Sequence, residues 1–345
     1  MSAMKRETIA MNNGHDQRKS APDQHRLNMP AVSVIIPCYN GEAYLSEAID
    51  SALGQTYPYV QVIVVDDGST DRSAEVMAKY GNRIMVVRQR NAGLSAARNA
   101  GIASASGSLL AFLDADDWWN PSFLEKMVTA LDSSGATIAY CGWQNIGIPG
   151  KHGEPFIPPD YEKSPEKLRQ IISGTRWPVH AAVVRQAAVQ EAGGFDTELR
   201  SAEDFALWVR IATRHPIILV PEVLAFYRHH GDQMTRNRDV IALNHWRAVR
   251  TFLEYNKDIA GKFGPREIRE LTEGDLLRRG YECYWKRDLH AARSIFRQVM
   301  KTGYGSPHDW KYMLPALLPL SMHERLLYLF NKDNLDRSHV DEKDL

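Results

Sequence analysis

Three carboxylates, Asp114, Asp116 and Asp117, lie within four positions directly after the apolar run Leu109–Leu113. Carboxylates this close repel one another, so their placement after an apolar segment requires a compensating interaction. Mg²⁺ and Mn²⁺ supply one, because these cations bind hard oxygen ligands, usually one or two carboxylates together with substrate phosphates. The spacing Asp114-x-Asp116 therefore predicts a divalent cation that binds a diphosphate. The alternative is a turn in which Asp117 or Asn120 caps a helix that starts at Pro121.

The elements that position these acids alternate between strands and helices. Apolar strands separated by helices of about ten residues are typical of crossover connections and of a mostly parallel sheet covered on both faces. We therefore expect an α/β fold, Rossmann-like, in which ligands bind beyond the carboxyl ends of the strands. The predicted strands are Val32–Pro37, Val60–Val65, Ile84–Val87 and Leu109–Leu113, and the predicted helices are Tyr44–Leu53, Asp71–Tyr80 and Leu94–Ala105. Polar residues follow the first, second and fourth strands, so these residues are expected to share one crevice.

The second half of the chain gives a weaker pattern. From Thr137 the alternation fades, and the stretch 149–165 is rich in proline, glycine and charge, which predicts a long loop. A helix is predicted from Ser201 to about Thr213, and the chain after about residue 240 is predicted to be helical. Further strands are predicted at Val179–Val184, Ile217–Val220 and Val223–Arg228.

Composition excludes several classes of protein. Lysine plus arginine and aspartate plus glutamate both total 42, so no net charge favours a nucleic-acid partner. The three cysteines, Cys38, Cys141 and Cys283, are too far apart for a metal knuckle or a disulfide framework, and they indicate a reducing cytoplasm. The first 29 residues are polar, which predicts a disordered tail rather than a signal peptide. No apolar run approaches the roughly 18 residues that span a bilayer.

Four segments in a fixed order carry a family resemblance, and three shorter ones add to it. The four are V-S-V-I-I-P-C-Y-N-G-E at Val32–Glu42, V-I-V-V-D-D-G-S-T-D at Val62–Asp71, N-A-G-L-S-A-A-R-N-A-G at Asn91–Gly101, and D-A-D at Asp114–Asp116; the shorter ones are G-G-F-D at Gly193–Asp196, Glu203-Asp204, and Y-R-H-H at Tyr227–His230. Together they resemble family 2 of the inverting glycosyltransferases, which have the GT-A fold. The resemblance covers about residues 31–235.

The resemblance implies transfer of one sugar from a nucleotide-sugar donor to an acceptor hydroxyl, with inversion at the anomeric carbon. The departing nucleoside diphosphate is anionic, and a bound Mn²⁺ or Mg²⁺ stabilises it as the bond breaks. By resemblance, Asp116 is the metal ligand. Asp114 contacts the ribose, or the metal through water, and His230 completes the metal shell or holds the diphosphate.

Donor contacts are expected from five further residues. By resemblance, Asp67 accepts a hydrogen bond from the uracil ring; otherwise it is a turn acid. Tyr39 offers an aromatic face for stacking on a pyrimidine, or it is a buried aromatic residue. Pro37 fixes the backbone, and Glu42 contacts the base or ribose unless it only favours a helix start. Arg98 approaches the diphosphate, or it is a solvated helix arginine.

The acceptor hydroxyl needs a base, because its pKa is high and its proton must leave as it attacks. By resemblance this base is Asp204, with Glu203 as the fallback. Ser201-x-x-Asp204 also fits a capping box, in which the carboxylate would bind its own helix start. Trp177 and His180 are candidates for acceptor contacts because aromatic faces pack on sugar rings, although core packing explains most tryptophans.

The domain prediction follows from the resemblance. We expect residues 30–238 to form the GT-A domain, with a nucleotide-binding half at 30–120 and an acceptor half at 121–238. Residues 239–345 form a helical C-terminal region. Within it, the amphipathic stretch Met313–Phe330 docks on a membrane surface or a partner, unless it simply packs on its own domain.

The expected reaction is addition of a single sugar, with UDP as the favoured donor nucleotide. The Q-x-x-R-W element of processive polysaccharide synthases is absent. The acceptor is expected to be a saccharide or a lipid-linked saccharide, in cell-surface polysaccharide or glycolipid biosynthesis in the cytoplasm. A sugar nucleotidyltransferase is one alternative, but its glycine-rich loop with basic residues is missing. A non-catalytic scaffold is another, although Asp116 and Asp204 are both present.

Overall fold

The computed structural model describes residues 30–148, 153–230 and 237–325. The predicted tail 1–29, part of the predicted loop at 149–165 and the end of Met313–Phe330 lie outside these residues. The strands are β1 Val32–Cys38, β2 Val60–Asp66, β3 Met85–Arg88, β4 Leu109–Phe112, β5 Trp118–Trp119, β6 Ile138–Ile146, β7 Ala182–Arg185 and β8 Ile217–Arg228. The α-helices are α1 Leu45–Leu53, α2 Ser73–Ala78, α3 Leu94–Ser104, α4 Phe123–Ser134, α5 Lys167–Ser173, α6 Gln186–Glu191, α7 Glu203–Ala212, α8 Arg238–Tyr255, α9 Lys257–Ala260, α10 Pro265–Arg269, α11 Asp275–Trp285, α12 Leu289–Lys301 and α13 Pro307–Met313.

The eight strands form one sheet in the order β3-β2-β1-β4-β7-β6-β8-β5. Strands β3, β2, β1 and β4 are parallel, as the alternation of strands and helices predicts. Strand β7 is antiparallel to both of its neighbours, β4 and β6. Every residue of β1 and β4 is buried, which explains why their sequences are apolar throughout rather than alternating. The expected α/β class is confirmed, as a mixed sheet with a parallel half.

The second half of the structure differs from the sequence prediction in three places. Strand β6 was not anticipated, because only its first five residues are buried and its sequence contains glycine and amides. The two short strands predicted at Ile217–Val220 and Val223–Arg228 are one strand, β8, which shifts register opposite Cys141 and Gly142. Proline at 221 lacks a backbone donor, so an irregular register accommodates it without loss of a regular ladder bond. Finally, Val179–Ala181 is a 3₁₀ turn that leads into β7.

Helix α8 joins two apolar clusters. Val249 and Phe252 pack into the main core around the sheet, whereas Ala242 and Trp246 pack with α11, α12 and α13. The region after about residue 240 is helical over its described part, as predicted. No helix within the described residues is long and apolar enough to cross a membrane.

Candidate functional site

The carboxyl ends of β1, β2 and β4 lie side by side. Cys38 pairs with Asp66 across the parallel ladder, and the backbone amide of Asp67 donates to the carbonyl of Cys38 at 2.8 Å. Strand β4 pairs with the other edge of β1, and the carboxylate-bearing loop follows it. Tyr39, the first residue after β1, is 54% exposed and therefore available for stacking. The three polar strand ends thus share one edge of the sheet, as the sequence predicts.

The loops after β1 and β2 are tied together by side chains. Asn40, at φ 52°, accepts from the amide of Thr70 at 2.8 Å. Glu42 accepts from the amide of Arg72 at 2.8 Å and from its guanidinium Nε at 3.3 Å. These bonds with Arg72 lower the pKa of Glu42. The carboxylate of Glu42 thus joins the two loops, and helix α1 begins only at Leu45. Its contact with the base or ribose stays a prediction.

Asp67 is buried and holds the segment that leads into α3. Its two oxygens accept from the side-chain amide of Gln89 at 2.7 Å and from the backbone amides of Ala92 and Gly93, each at 2.9 Å. The neighbouring Gly68 has φ +78°, and a Cβ there would lie 2.8 Å from the amide nitrogen of Asn91. A carboxylate has about four acceptor sites, so Asp67 retains capacity for one further donor. Its contact with uracil stays a prediction.

Arg98 has an unexpected position. Its guanidinium is buried and donates to Asp114 Oδ1 at 2.7 Å and to Glu203 Oε1 at 2.6 Å. It also lies over the ring of Phe195, with 5.2 Å from Cζ to the centroid. The carboxylates Asp114 and Glu203 raise the pKa of Arg98, so the side chain is permanently cationic. The expectation of a solvated helix arginine is wrong, and Arg98 bridges two acids instead of facing the crevice.

Asp116 and His230 are brought into contact from positions far apart in the chain. Asp116 Oδ2 lies 2.9 Å from His230 Nε2, and both side chains are partly exposed. The ring of His230 packs on that of Tyr44, with 5.1 Å between centroids. His229 follows the strand instead, where Nε2 lies 2.6 Å from Asn145 Oδ1. The two adjacent histidines therefore have different partners, and His230 is the one that contacts Asp116.

Arg228 connects the acid loop to the rest of the site, and sequence reasoning missed it. Its Nε donates to the carbonyl of Asp116 at 3.0 Å, and its backbone amide donates to Asp117 Oδ1 at 2.9 Å. The guanidinium also lies between the rings of Tyr44 and Trp118, at 4.8 and 4.5 Å from their centroids. Arg228 belongs to the Y-R-H-H segment, and its place in that motif is the sequence feature that could have marked it as a site residue.

A second acid–histidine pair lies beneath the loop. Asp117 Oδ2 is 3.1 Å from His180 Nδ1, and both side chains are fully buried. Burial and the neighbouring carboxylates Asp116 and Asp114 raise the pKa of Asp117 well above its usual value. Burial lowers the pKa of His180 to about 4. Burial thus disfavours the charged form of each group, and Asp117 is not a helix cap.

Asp204 lies in the first turn of α7, where its Oδ1 accepts from the backbone amide of Phe205 at 2.7 Å, but it forms no capping box. The cap residue is Ala202, at φ 58°, and it makes no side-chain cap bond. The hydroxyl of Ser201 accepts instead from the side-chain amide of Asn244 at 2.9 Å. The capping-box alternative is therefore wrong. Burial and the adjacent carboxylate of Glu203 raise the pKa of Asp204 to about 7, against the opposing charge of Arg98. A carboxyl with this pKa is suited to general-base work near neutral pH.

Comparison with known proteins identifies the family. A family model described as Glycosyl transferase family 2 matches residues 33–191. An uncharacterised glycosyltransferase of Rickettsia prowazekii (strain Madrid E) is 34% identical over 264 residues, which cover 74% of this chain and 76% of the relative. The chain belongs to glycosyl transferase family 2. It is a glycosyltransferase, and the resemblance drawn from its motifs is confirmed. Some relatives are much longer, since the chain spans 35% of one from Rickettsia felis.

Solved structures confirm the GT-A fold of this family 2 glycosyltransferase. TarS 1–349 of S. aureus in complex with UDP-GlcNAc has 20% identity and a TM-score of 0.53, covering 77% of this chain and 83% of that chain. The mannosyltransferase PcManGT of Pyrobaculum calidifontis, in complex with GDP-Man and Mn²⁺, has 19% identity and a TM-score of 0.52, covering 89% and 88%. At this identity the likeness concerns the fold alone.

The acceptor candidates of the glycosyltransferase are corrected by their burial. Trp177 is 3% exposed and stacks on Tyr140, with 4.4 Å between ring centroids. His180 is fully buried and stacks on Tyr227, with 5.7 Å between centroids. Neither side chain reaches a surface on which a sugar can bind. Core packing was the alternative interpretation for the tryptophan, and it is the correct one.

The donor atoms at the acid loop fit a divalent cation. Asp116 and His230 meet at the open crevice, and a carboxylate with an imidazole suits Mn²⁺ better than Mg²⁺. Ligand atoms of Asp114, Asp117 and His180 also lie within 4.8 Å of one another. Because Asp117 and His180 are buried, a cation held by them would have no access to a substrate. The exposed pair is therefore the better candidate.

Proposed function

We propose that this glycosyltransferase moves one sugar from a nucleotide-sugar donor, with UDP as the favoured nucleotide, to an acceptor hydroxyl with inversion. The observation that carries the proposal is the bridge formed by Arg98. Its two bonds hold Asp114, on the donor side, beside Glu203, which adjoins Asp204. The residues proposed to stabilise the leaving group and the residue proposed to remove the proton therefore lie at one crevice.

On the donor side, Tyr39 stacks on the base while Asp67 accepts a hydrogen bond from it, and Glu42 and Pro37 keep the loops in position. Asp116 and His230, with Asp114, hold a divalent cation, which when bound supplies positive charge for the departing diphosphate. These residues come from the ends of β1, β2, β4 and β8. Because these residues come from separate elements, they would contact the donor from several sides.

On the acceptor side, Asp204 removes the hydroxyl proton as the oxygen attacks the anomeric carbon. The new carbon–oxygen bond forms on the face opposite the donor phosphate, while the bond to that phosphate breaks and the nucleoside diphosphate leaves. The proton ends on Asp204. Because one base and one leaving group suffice, inversion follows from a single displacement.

The nucleotide and the biological role are inferred from chemistry and relatives. TarS is solved with UDP-GlcNAc, and PcManGT with GDP-Man and Mn²⁺. An acceptor that is a saccharide or a lipid-linked saccharide, in cell-surface polysaccharide or glycolipid biosynthesis, fits a single-sugar transferase. The three free cysteines fit a cytoplasmic location. We assign residues 30–238 to the transferase domain, with halves 30–120 and 121–238, and 239–345 to the helical region.

A panel of nucleotide-sugars tests the class and names the donor. Each compound is incubated with Mn²⁺ or Mg²⁺, and both thermal shift and nucleotide release are measured. We expect one donor to stabilise the protein and to be turned over only with the cation. Asp116→Ala should abolish turnover because the leaving diphosphate loses its cation, whereas Asp132→Ala, an exposed acid on α4, should behave as wild type. Turnover at near wild-type rate in Asp116→Ala would refute the metal assignment.

A further inference from the structure

Exposed apolar side chains are concentrated near the end of the described chain. Leu314, Leu317, Leu320 and Met322 are 40–60% exposed. They are four of the twelve large hydrophobic side chains that are exposed among the described residues, and they fall within nine positions. Single exposed apolar residues are ordinary, but a contiguous group marks an interaction site.

A cationic groove of about 530 Å³ adjoins this group. His290, Arg293, Arg297 and Lys301 line it from one face of α12, since residues three or four apart on a helix lie on the same side. Among the described residues that line the groove, none is acidic, and Leu320 belongs to the lining. The groove therefore presents positive charge directly beside apolar surface.

Hydrogen bonds connect the cationic face of α12 to the segment that carries the exposed apolar side chains. Arg297 Nε donates to the carbonyl of Ala316 at 2.8 Å, and Arg293 donates to the carbonyl of Leu318. Arg293 is buried, whereas Arg297, which shares in this connection, and Lys301 are exposed. The cations and the apolar side chains consequently form one rigid surface, here called the basic–apolar surface. It comprises His290, Arg297, Lys301, Leu314, Leu317, Leu320 and Met322.

We propose that the basic–apolar surface docks this glycosyltransferase on a membrane that contains anionic phospholipids. The apolar side chains enter the boundary between headgroups and acyl chains, and the cations contact lipid phosphates. Charge favours this occupant over a second copy of the chain. In a two-fold dimer the same patch faces itself, so the cations of one copy would meet only cations or apolar side chains of the other, with no acid among the described residues of the surface to pair with them.

Membrane docking deepens the proposed function, because it brings the site to acceptors that are lipid-linked. The membrane proposal depends on the proposed function only for the biological role of docking, not for the docking itself. Vesicle binding is measured without donor or acceptor, so the membrane proposal and the sugar-transfer proposal can fail separately.

Co-sedimentation of the full chain with vesicles tests the proposal. One set of vesicles is phosphatidylcholine, and the other is an equimolar mixture of phosphatidylcholine and phosphatidylglycerol. We expect binding to the anionic vesicles and weakening by salt. Replacing both Arg297 and Lys301 by glutamine should weaken binding about 25-fold, since each cation near an anionic surface contributes about fivefold. Leu314→Ser with Leu317→Ser should weaken binding more than about tenfold.

Matched variants keep the test specific. Lys262→Gln with Arg266→Gln removes two exposed cations elsewhere, and Tyr255→Ser removes an exposed apolar side chain on α8. These controls should bind as wild type does. Equal binding to both vesicle types, or an equal loss in the controls, would overturn the proposal. So would a dimer in sedimentation velocity without lipid that Leu317→Ser dissociates, because the surface would then join two copies.

Discussion

The bridge that Arg98 forms between Asp114 and Glu203 gives the sharpest prediction. Arg98→Gln removes the cation but leaves both carboxylates in place. It also removes the positive charge that opposes the rise in the pKa of Asp204. Stability and the pH dependence of transfer should therefore change together, which neither a purely structural nor a purely donor-binding arginine would cause.

The size of the stability effect follows from burial. Removing one partner of a buried ion pair costs about 3–5 kcal/mol, because the other charge is left unpaired. The side chains of Glu203 and Asp114 are 10% and 25% exposed, so water relieves part of the cost and we expect about 3 kcal/mol. With an unfolding entropy of about 2.1 cal/mol/K per residue over 345 residues, that lowers Tm by about 4 °C. Arg98→Lys should lose less, since an ammonium ion can still pair with one carboxylate.

The pH profile of kcat/KM is the decisive measurement. In the wild type the rate should rise about tenfold for each pH unit below 7 and level off above it, because the base must be ionised. In Arg98→Gln the pKa of Asp204 rises, so the midpoint should move to higher pH, and the rate at about pH 6 should fall further. Nucleotide release with the cation present, measured across the pH range, gives both curves.

Arg210 is the matched control for this experiment. It lies on α7, the helix that carries Glu203 and Asp204, but donates to the backbone carbonyls of Ala206 and Gly194, at 2.8 and 2.7 Å. Arg210→Gln should therefore destabilise the protein without moving the midpoint. If Arg98→Gln kept the wild-type midpoint, or if Arg210→Gln moved it equally, the bridge would have no link to the base. If Arg98→Gln fails to fold, Arg98→Lys carries the comparison.

Two further predictions concern Asp204 and Trp177. Asp204→Asn should stop transfer yet preserve UDP binding by calorimetry, and loss of UDP affinity would contradict its role as base. Because the carboxyl has a pKa near 3.8 unfolded and about 7 folded, the unfolded state loses its proton first as pH rises, so wild-type stability falls between these values. The variant should thus be about 2–4 kcal/mol more stable than wild type at about pH 8, and equal to it near pH 3, in melting curves. Trp177→Ala should cost about 3–5 kcal/mol with unchanged acceptor KM, and Trp177→Phe should restore most of the stability. If Trp177→Ala raised the acceptor KM but kept the wild-type Tm, Trp177 would contact the acceptor rather than pack in the core.

The parallel half of the fold was predictable because its strands are apolar throughout and its helices are amphipathic. Once those strands are parallel, Tyr39, Asp67 and Asp114 must meet at one edge of the sheet. Strand β6 was not predictable, because its exposed end mixes glycine, amides and aromatic residues and shows no clear period. The burial of Trp177 was not predictable either, because a tryptophan in a core and a tryptophan in a sugar-binding site cannot be told apart from sequence.

The sequence by itself determined the family and the α/β fold, because those depend on local pattern and motif order. Only the tertiary structure decided what each side chain contacts. Arg98 and Glu203 are 105 positions apart, and their pairing depends on how α3 and α7 pack against the sheet. The raised pKa of Asp204 likewise depends on burial and on charges from other elements, which no local pattern encodes.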